Sequence, residues 1–306
     1  ASEHGANMAA TNGQPEKKAK SEVFLLYGKN GFVGGLLQEE FKKRGLTLHL
    51  GNARLQNREH VERELDEIKP TNVINAAGVT GRPNVDWCED HKQETIRANV
   101  LGALCVIDAC FERGIHVTNW STGCIYTYSE QYPEGKPVTE EDPPNFDGSF
   151  YAKTKGLLEQ LVKTYPNVVN LRLRMPISDD LHGRSLVTKI TQYQKVVGHI
   201  PNSMSIMTDL VPVSVDLALR GKTGVYNFTN PGAITHNEIL ALYKKYIDPD
   251  FTWQNFDLEE QAKVIKAPRS NCNLDTSKLL AEFPDIPEIH AGMEACFIRM
   301  KKNLGK

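Results

Sequence analysis

The feature that most constrains the fold is a glycine-rich turn between a short apolar segment and a helical pattern. The apolar segment Val23-Phe24-Leu25-Leu26-Tyr27 has the composition of a strand that is buried on both faces of a parallel sheet. Gly28, Gly31 and Gly34 follow at a spacing of three, and a helical pattern then runs to Arg44. Glycine lets the backbone turn tightly and approach a pyrophosphate, which would then lie at the helix N-terminus. Plain loops also contain glycine triplets, but a strand before and a helix after favour a nucleotide-binding turn.

The alternation of strand and helix continues through the first half of the chain. The further strands and helices that we predict there are strands 46–50, 72–75, 117–121 and 168–172, and helices 58–68, 92–113 and one that contains Tyr151. At least five strands in this alternation predict an α/β fold, a Rossmann-like doubly wound parallel sheet. Beyond Ile177, helices predominate, at 185–193, 212–220, 237–246, 258–264, 276–282 and 288–300, with short strands at 205–207 and 224–228. This change of pattern predicts a smaller mixed α/β C-terminal substrate region.

The residues after the second predicted strand indicate which nicotinamide cofactor the protein prefers. An acidic residue there would hold the ribose 2′-hydroxyl of NAD, but Gly51-Asn52-Ala53-Arg54 follows instead. Lys29 and Arg54 together would suit a 2′-phosphate, which favours NADPH, with NADH as an alternative. The competing interpretation is that both are solvated surface cations. After the third strand, the small residues Ala76-Ala77-Gly78 would let a cofactor lie close to the backbone.

A candidate proton-transfer site comes from the middle of the chain. Tyr151 and Lys155 are four residues apart, so their side chains share one face of a helix. A phenol pKa is normally about 10, and a neighbouring ammonium would lower it. Thr122, at the end of the fourth strand, is the candidate hydroxyl that completes the relay. Cys124 lies two residues further on and, if this stretch is extended, faces the same way, which suggests a second proton-transfer task.

The loop 79–89, Val79-Thr80-Gly81-Arg82-Pro83-Asn84-Val85-Asp86-Trp87-Cys88-Glu89, is a candidate for reading the substrate. It is polar and aromatic, and it follows a strand end, where ligands bind in open α/β sheets. The segment 126–147 is long, acidic and contains prolines, so we predict a surface loop.

Composition excludes several classes of protein. Of 306 residues, 40% are hydrophobic and 24% charged, as in ordinary globular proteins, and the net charge of −2 argues against nucleic acid or an anionic membrane as partner. No apolar run approaches the length of a membrane span, and no signal-peptide pattern is present. The six cysteines lack metal-ligand spacing and read as reduced thiols of a cytoplasmic protein, so no metal site is predicted.

Three units follow from these patterns. Residues 1–21 are small and polar and are predicted to be a disordered tail or a remnant of an expression vector. Residues 22–176, with about 208–232, form the predicted NADPH-binding domain. About 177–207 and 233–306 form the predicted substrate-binding region.

Taken together, the motifs resemble those of a known family. They include Tyr27-Gly28-Lys29, the run from Asn75 to Glu89, Asn99, Thr122, Gly148-Ser149-Phe150-Tyr151 with Lys155, Arg172-Leu173-Arg174-Met175-Pro176-Ile177-Ser178, Tyr226-Asn227-Phe228-Thr229-Asn230-Pro231-Gly232 and Ala267-Pro268-Arg269-Ser270-Asn271. From about 23 to 302 the chain resembles an extended short-chain dehydrogenase/reductase. More narrowly, it is similar to the nucleotide-rhamnose synthase/epimerase-reductase family.

The resemblance implies a bifunctional enzyme. Members invert C3 and C5 of a UDP- or dTDP-4-keto-6-deoxy-D-glucose and reduce its C4 ketone with NADPH or NADH, giving the nucleotide L-rhamnose. The family's epimerase cysteine and lysine are matched by Cys124 and Lys189, and its reductase residues by Thr122, Tyr151 and Lys155. A homodimer is expected by analogy.

The resemblance also implies two sets of binding residues. The expected cofactor contacts are Gly28, Lys29, Asn30, Gly31, Phe32, Val33, Arg54, Asn75, Ala76, Ala77, Gly78, Asn99, Tyr151, Lys155 and Pro176. The expected substrate contacts are Val79, Thr80, Gly81, Arg82, Asn84, Met175, Asn202 and Arg269.

Alternatives stay open at this point. A plain 4-reductase of the dTDP-rhamnose type would need only the reductase residues, and a non-catalytic NADP-binding regulatory subunit, like that of methionine adenosyltransferase, could share the fold. The related GDP-fucose synthase uses a histidine where this chain offers Lys189. The sequence does not distinguish UDP from dTDP, nor which of Cys124 and Lys189 removes the proton.

Overall fold

The structure, a computed structural model, describes residues 22–306, so the predicted tail lies outside the described residues. Its strands are β1 (Phe24–Tyr27), β2 (Leu48–Leu50), β3 (Asn72–Asn75), β4 (His116–Thr122), β5 (Val168–Leu173), β6 (Lys195–Val196), β7 (Gly224–Phe228) and β8 (Gln254–Asn255). Six of them form one parallel sheet in the order β2-β1-β3-β4-β5-β7, and β6 and β8 form a parallel pair. This order confirms the doubly wound α/β class.

Helices cover both faces of the large sheet. They are α1 (Phe32–Arg44), α2 (Arg58–Ile68), α3 (Trp87–Asp90), α4 (Lys92–Ile96), α5 (Gly102–Glu112), α6 (Phe150–Val162), α7 (Leu186–Ile190), α8 (Met207–Leu219), α9 (His236–Tyr246), α10 (Leu258–Ala262), α11 (Ser277–Glu282) and α12 (Ile289–Asn303). One apolar core lies between the sheet and α1, α8 and α11, and another between the sheet and α2, α5 and α6. Burial on both faces explains why the strands read as continuous apolar runs.

A row of buried amides crosses the second of these faces. Asn75 of β3 donates to Asn119 of β4 at 2.9 Å, and Asn119 donates to Asn170 of β5 at 2.7 Å. Asn170 in turn donates to the carboxylate of Glu159 on α6 at 3.2 Å. These asparagines are direct neighbours in the strand register, so each finds its partner across one strand spacing.

Several predicted elements differ from the observed ones. The predicted helix 92–113 is interrupted by a π-helical turn, Arg97–Leu101. The strand predicted at 205–207 is wrong beyond a single bridge between Ile177 and Ile206, because α8 begins at Met207. By contrast, the strand predicted at 224–228 is present, as β7, and it pairs with β5 in the large sheet.

The prediction that 126–147 is a surface loop is only partly correct. Tyr126, Tyr132 and Val138 are buried, and they pack with Cys272 and Leu274 in a small apolar cluster. The segment therefore ties the sheet to the C-terminal part of the chain.

The C-terminal part has an apolar core of its own. Side chains of α7, α9 and α12 pack there around Met204, Ile206 and Ile234. This separate core supports the predicted division of the chain, which stays a proposal. The predicted bounds of the substrate-binding region need one change, because Leu279 of α11 and the nearby Ile286 lie within 233–306 but pack against the large sheet.

Candidate active site

The glycine turn joins β1 to α1 and opens onto the edge where the parallel strands end. Gly28 has φ +88°, and a Cβ there would lie 2.5 Å from the backbone of Ala76. Gly34 packs against the turn from α1, since a Cβ on it would lie 2.2 Å from the oxygen of Gly28. Gly31 is the N-cap of α1, so the free amides of the next residues face the turn. The backbone thus leaves the space that a pyrophosphate needs.

The predicted 2′-phosphate contacts lie at the neighbouring strand ends. The ammonium of Lys29 donates to the side chain of Asn52 after β2, and Arg54 is exposed two residues later. Sequence reasoning missed Glu64 of α2, whose carboxylate accepts the backbone amides of Asn52 at 2.7 Å and Ala53 at 3.2 Å. An acidic group is therefore present after all, but it is occupied by these amides.

The turn after β3 is held from two sides. Asn75 accepts the amide of Ala77 at 3.2 Å. Asn99, in the π-helical turn, accepts from the Val79 amide at 2.7 Å and donates to the Val79 oxygen at 2.8 Å. Both asparagines are buried, and these hydrogen bonds position the turn, while their contact with a cofactor stays a prediction.

Lys155 lies beside this turn. Its Nζ would be 3.8 Å from a Cβ placed on Gly78. The ammonium of Lys155 on α6 therefore lies close to the backbone segment that is predicted to contact the cofactor. Burial lowers the pKa of Lys155 to about 8. Helix α6 itself is fixed by its N-cap Ser149 and by Glu89, which accepts the amide of Phe150 at 2.7 Å.

Thr122, Cys124 and Tyr151 meet at the end of β4. The chain turns after Thr122, contrary to the extended stretch that the sequence suggested, and the Cys124 amide donates to the Thr122 hydroxyl at 3.1 Å. Burial raises the pKa of Tyr151, the Cys124 thiol raises it further, and a hydrogen bond with Thr122 opposes the rise. Lys155 is not among the groups that shift it, so the prediction that Lys155 lowers this pKa is wrong for this arrangement.

Lys189 approaches the same thiol from α7. Burial lowers the pKa of Lys189, the charge of Arg184 lowers it further, and Cys124 opposes the fall. The two epimerase candidates are therefore near enough to interact electrostatically.

Sequence reasoning missed Arg174, which also contacts Cys124. Its Nη1 donates to the Cys124 sulfur at 3.4 Å. Arg174 stood in one of the quoted motifs, but no sequence signal pairs it with a thiol fifty residues away.

The candidate substrate loop contacts two other segments. Arg184 donates to the Gly81 oxygen at 2.8 Å and to the Thr80 hydroxyl at 3.4 Å. Arg269 pairs with Asp86 at 2.7 Å and contacts Asn84 at 3.4 Å. These contacts link loop 79–89 to both parts of the predicted substrate region. Val79 and Arg82 lie on the same loop, half-buried and exposed respectively.

The other predicted substrate and cofactor contacts lie after β5. Met175 and Pro176 are half-buried beside Arg174, and Met175 has the unusual φ of +44°. Asn202 is buried, accepts from Arg174 and donates to Asn271 at 2.9 Å. Because these contacts occupy its amide, the structure favours a positioning role for Asn202 over a direct substrate contact.

Two kinds of feature are absent from residues 22–306. Within this part of the chain, no group of three or more histidine, cysteine or acidic side chains could hold a metal ion. No helix there combines the length and apolar character needed to cross a membrane.

Comparisons with known proteins agree with the resemblance drawn from the motifs. A family model described as the RmlD substrate binding domain matches residues 22–200. The bifunctional dTDP-4-dehydrorhamnose 3,5-epimerase/dTDP-4-dehydrorhamnose reductase of Arabidopsis thaliana is 55% identical over 285 residues, which cover 92% of this chain and 93% of that protein.

A longer relative and a solved structure extend the comparison. A trifunctional UDP-glucose 4,6-dehydratase/UDP-4-keto-6-deoxy-D-glucose 3,5-epimerase/UDP-4-keto-L-rhamnose-reductase of the same plant is 53% identical over 91% of this chain, which spans only 42% of that relative. The crystal structure of the L780 UDP-rhamnose synthase from Acanthamoeba polyphaga mimivirus has a TM-score of 0.87 and 36% identity, covering 90% of this chain and 98% of that one. With a family model over more than half of its length and relatives of 36% to 55% identity along nearly all of it, the chain belongs to the RmlD substrate-binding-domain family.

Proposed function

We propose that this protein is a bifunctional 3,5-epimerase and NADPH-dependent 4-reductase that converts a UDP- or dTDP-4-keto-6-deoxy-D-glucose to the nucleotide L-rhamnose. The observation that carries the proposal is the meeting of Cys124, Lys189, Thr122 and Tyr151 at the end of β4. A plain reductase needs the last two of these residues but has no use for the first two. The names of the relatives agree, because each combines epimerase with reductase activity or names a rhamnose synthase.

The residues present fit a dinucleotide. The Gly28 turn and the N-terminus of α1 would hold its pyrophosphate, Lys29 and Arg54 a 2′-phosphate, and Lys155 beside Gly78 the nicotinamide ribose. Phe32, Val33 and Asn30 lie within or beside the same turn. NADPH, with NADH as alternative, would supply the hydride that reduces C4.

Epimerisation follows from the position of C3 and C5 next to the C4 carbonyl. Loss of a proton from either carbon places negative charge on the C4 oxygen, where Thr122 and Tyr151 would donate hydrogen bonds. Inversion needs one group to remove a proton and another to return it on the opposite face. Cys124 and Lys189 are the pair for these two tasks, because they approach the site from different elements.

Reduction would use the same oxygen and the same phenol. A Tyr151 with a raised pKa is fully protonated at neutral pH and can give its proton to the C4 oxygen when hydride arrives. Lys155 would then assist by holding the cofactor and by restoring the proton of Tyr151, for which a pKa of about 8 is suitable.

We further propose a homodimer formed through α6 and the π-helical turn. These two elements pack against each other and expose Leu101, Leu157 and Leu161, each with about half of its surface accessible, at 51%, 53% and 49%.

The six cysteines are free thiols, which supports a reducing, cytoplasmic location.

The test uses NADPH and each nucleotide 4-keto-6-deoxy-glucose in deuterated water. NADPH oxidation is followed by absorbance, and the product is analysed by proton NMR. We expect deuterium at C3 and C5 of an L-rhamnosyl product, and the rates with the UDP and dTDP sugars identify the preferred nucleotide. Oxidation without deuterium would reduce the protein to a 4-reductase, and tight NADPH binding without turnover of either sugar would favour a regulatory subunit.

A further inference from the structure

Arg174 is a fully buried cation whose hydrogen-bond partners are all formally neutral groups. Besides Cys124, its guanidinium donates to the hydroxyl of Ser270 at 3.0 Å, to the Ser270 backbone oxygen at 2.8 Å and to the side chain of Asn202. Its Nε is buried without a hydrogen-bond partner, and within residues 22–306 no carboxylate pairs with it. A guanidinium stays protonated in proteins, so a positive charge is buried here without a fixed counter-charge.

Few of the ionisable groups around Arg174 could supply a negative counter-charge near pH 7. Burial raises the pKa of Cys272, raises that of Tyr128 to about 12 and lowers that of His236 to about 4. All three are therefore neutral near pH 7. Cys124 differs from them because it is half-buried and borders the active site.

We propose that Arg174 is a positioning residue that holds the sulfur of Cys124 at the end of β4 and stabilises it as a thiolate, so that it serves the epimerase task and not the reductase task. The inference deepens the proposed function and rests on it for the epimerase task alone. Thiolates are favoured beside arginine, and a charge-assisted contact fixes the direction of the sulfur. The thiolate would be the counter-charge that Arg174 otherwise lacks.

The other groups that face Cys124 are compatible with this arrangement. Lys189 of α7 contributes a second positive group, while Tyr151 of α6 and Cys272 are neutral at pH 7 because their pKa values are raised. No acidic side chain of the described residues contributes to the shifts of these three neighbours. A negative sulfur would therefore meet only positive and neutral groups.

The first experiment needs no sugar substrate. Wild-type protein and the Arg174→Met and Arg174→Lys variants are treated with iodoacetamide from pH 5 to 10, and alkylation of Cys124 is quantified by peptide mass spectrometry. We expect Arg174→Met to slow alkylation at pH 7 about tenfold and to move the pH midpoint upward, because less thiolate is present. Arg174→Lys should recover part of the rate. An unchanged pH midpoint in Arg174→Met would overturn the proposal.

The second experiment separates the two activities. Arg174→Met should lower deuterium incorporation at C3 and C5 about 10²-fold, while reduction of nucleotide-4-keto-L-rhamnose, which needs no epimerisation, changes by no more than about threefold. Equal loss of both activities would assign Arg174 a merely structural role. If wild-type protein incorporates no deuterium, the proposed function fails, and the alkylation profile still tests the contact between Arg174 and Cys124.

A milder variant covers the case in which Arg174→Met does not fold. Ser270→Ala removes one acceptor of the nitrogen that contacts Cys124 but keeps the guanidinium. We expect an alkylation rate between wild type and Arg174→Lys, with NADPH affinity unchanged. Slower alkylation than in Arg174→Lys would contradict the assignment of the effect to the charge.

Discussion

Arg172 and Arg174 are two residues apart at the end of β5, and both are fully buried, yet their surroundings differ. Arg172 is held by Glu159 with two hydrogen bonds of 2.7 and 3.0 Å. Its remaining donors reach Asn227 and the backbone oxygens of Thr139 and Glu140. Arg174 has a thiol, a hydroxyl, an amide and a backbone oxygen as partners, and one nitrogen with none.

The difference separates a structural charge from a reactive one. A buried cation whose carboxylate and hydrogen-bond partners are complete contributes to a fixed arrangement and has nothing left to offer a substrate. A buried cation without a fixed counter-charge favours negative charge on a neighbour that can ionise. The same residue type thus serves the scaffold at one position and the chemistry two positions later.

The largest expected effect lies at the structural arginine. Arg172→Met leaves the buried Glu159 carboxylate with only Asn170 at 3.2 Å and the more distant Lys163 at 3.9 Å, so we expect the free energy of unfolding to fall by about 3 to 5 kcal/mol. Urea denaturation measures the change. The double variant Arg172→Met with Glu159→Leu should regain more than half of the loss, because it removes both charges. If Arg172→Met lowers the free energy of unfolding by less than about 1 kcal/mol, Arg172 is not the structural charge that distinguishes it from Arg174.

Replacing the thiol should affect activity and leave stability nearly unchanged. In Cys124→Ser the hydroxyl still accepts from Arg174 but does not ionise near pH 7, so deuterium exchange at C3 and C5 should fall about 10²- to 10⁴-fold. The unfolding free energy should change by less than about 1 kcal/mol. Cys105→Ser, at a half-buried thiol on α5, is the matched control and should keep both activities. Loss of stability without loss of exchange would assign Cys124 to the scaffold.

Lys155 is a third buried cation, and its stability effect depends on pH. Because its folded pKa is about 8 and its ordinary value is 10.5, the unfolded chain holds the proton more tightly. Below pH 8 the folded state carries the full cost of this charge, and the cost disappears as the pH rises towards 10.5.

Lys155→Met should therefore be the more stable protein at pH 7, by a margin on the order of 3 kcal/mol that shrinks as the pH rises. Chemical denaturation of both proteins at pH 7, 8.5 and 10 measures the difference. A margin that does not change with pH would show that the effect comes from packing and not from the charge.

The smallest effect is expected at Arg184, whose positive charge helps to lower the pKa of Lys189. Arg184→Met should raise that pKa and move one limb of the pH profile of deuterium exchange upward, by about one unit or less. Movement of the acidic limb identifies Lys189 as the base, and movement of the alkaline limb identifies it as the acid. Arg184→Lys keeps the charge and should keep the profile, whereas a profile unmoved in Arg184→Met contradicts the coupling.

Local patterns in the sequence predicted the scaffold well. The bounds of α2 and β3 agree with the prediction, and α1 ends at Arg44 as predicted, because its C-cap Gly45 adopts a left-handed conformation that favours glycine. Strand β2 is shorter than predicted. The strand expected at 205–207 fails because an apolar run of this length does not distinguish a strand from the start of a buried helix.

The site was less predictable because its contacts join distant parts of the chain. Tyr151 and Lys155 follow from helical spacing, and the glycine turn follows from its context. The contacts of Arg174 with Cys124 and Ser270, and of Glu64 with the β2 turn, span separations that no periodicity encodes. Even the pKa of Tyr151 depends on burial, which the sequence does not give, and burial reversed the direction expected from Lys155.

The row of amides across β3, β4 and β5 bears on how the chain finds a single strand pairing while it folds. A slip of one strand by two residues keeps every apolar side chain on its own face, so hydrophobic burial alone discriminates weakly against it. Such a slip would part Asn119 from Asn75 and Asn170 and leave buried amides without partners. Each unpaired amide would cost about 1 to 3 kcal/mol. The hydrogen bonds of these three asparagines therefore fix the pairing register of β3, β4 and β5. The strand ends that carry Thr122 and Arg174 are thus aligned before any ligand is bound.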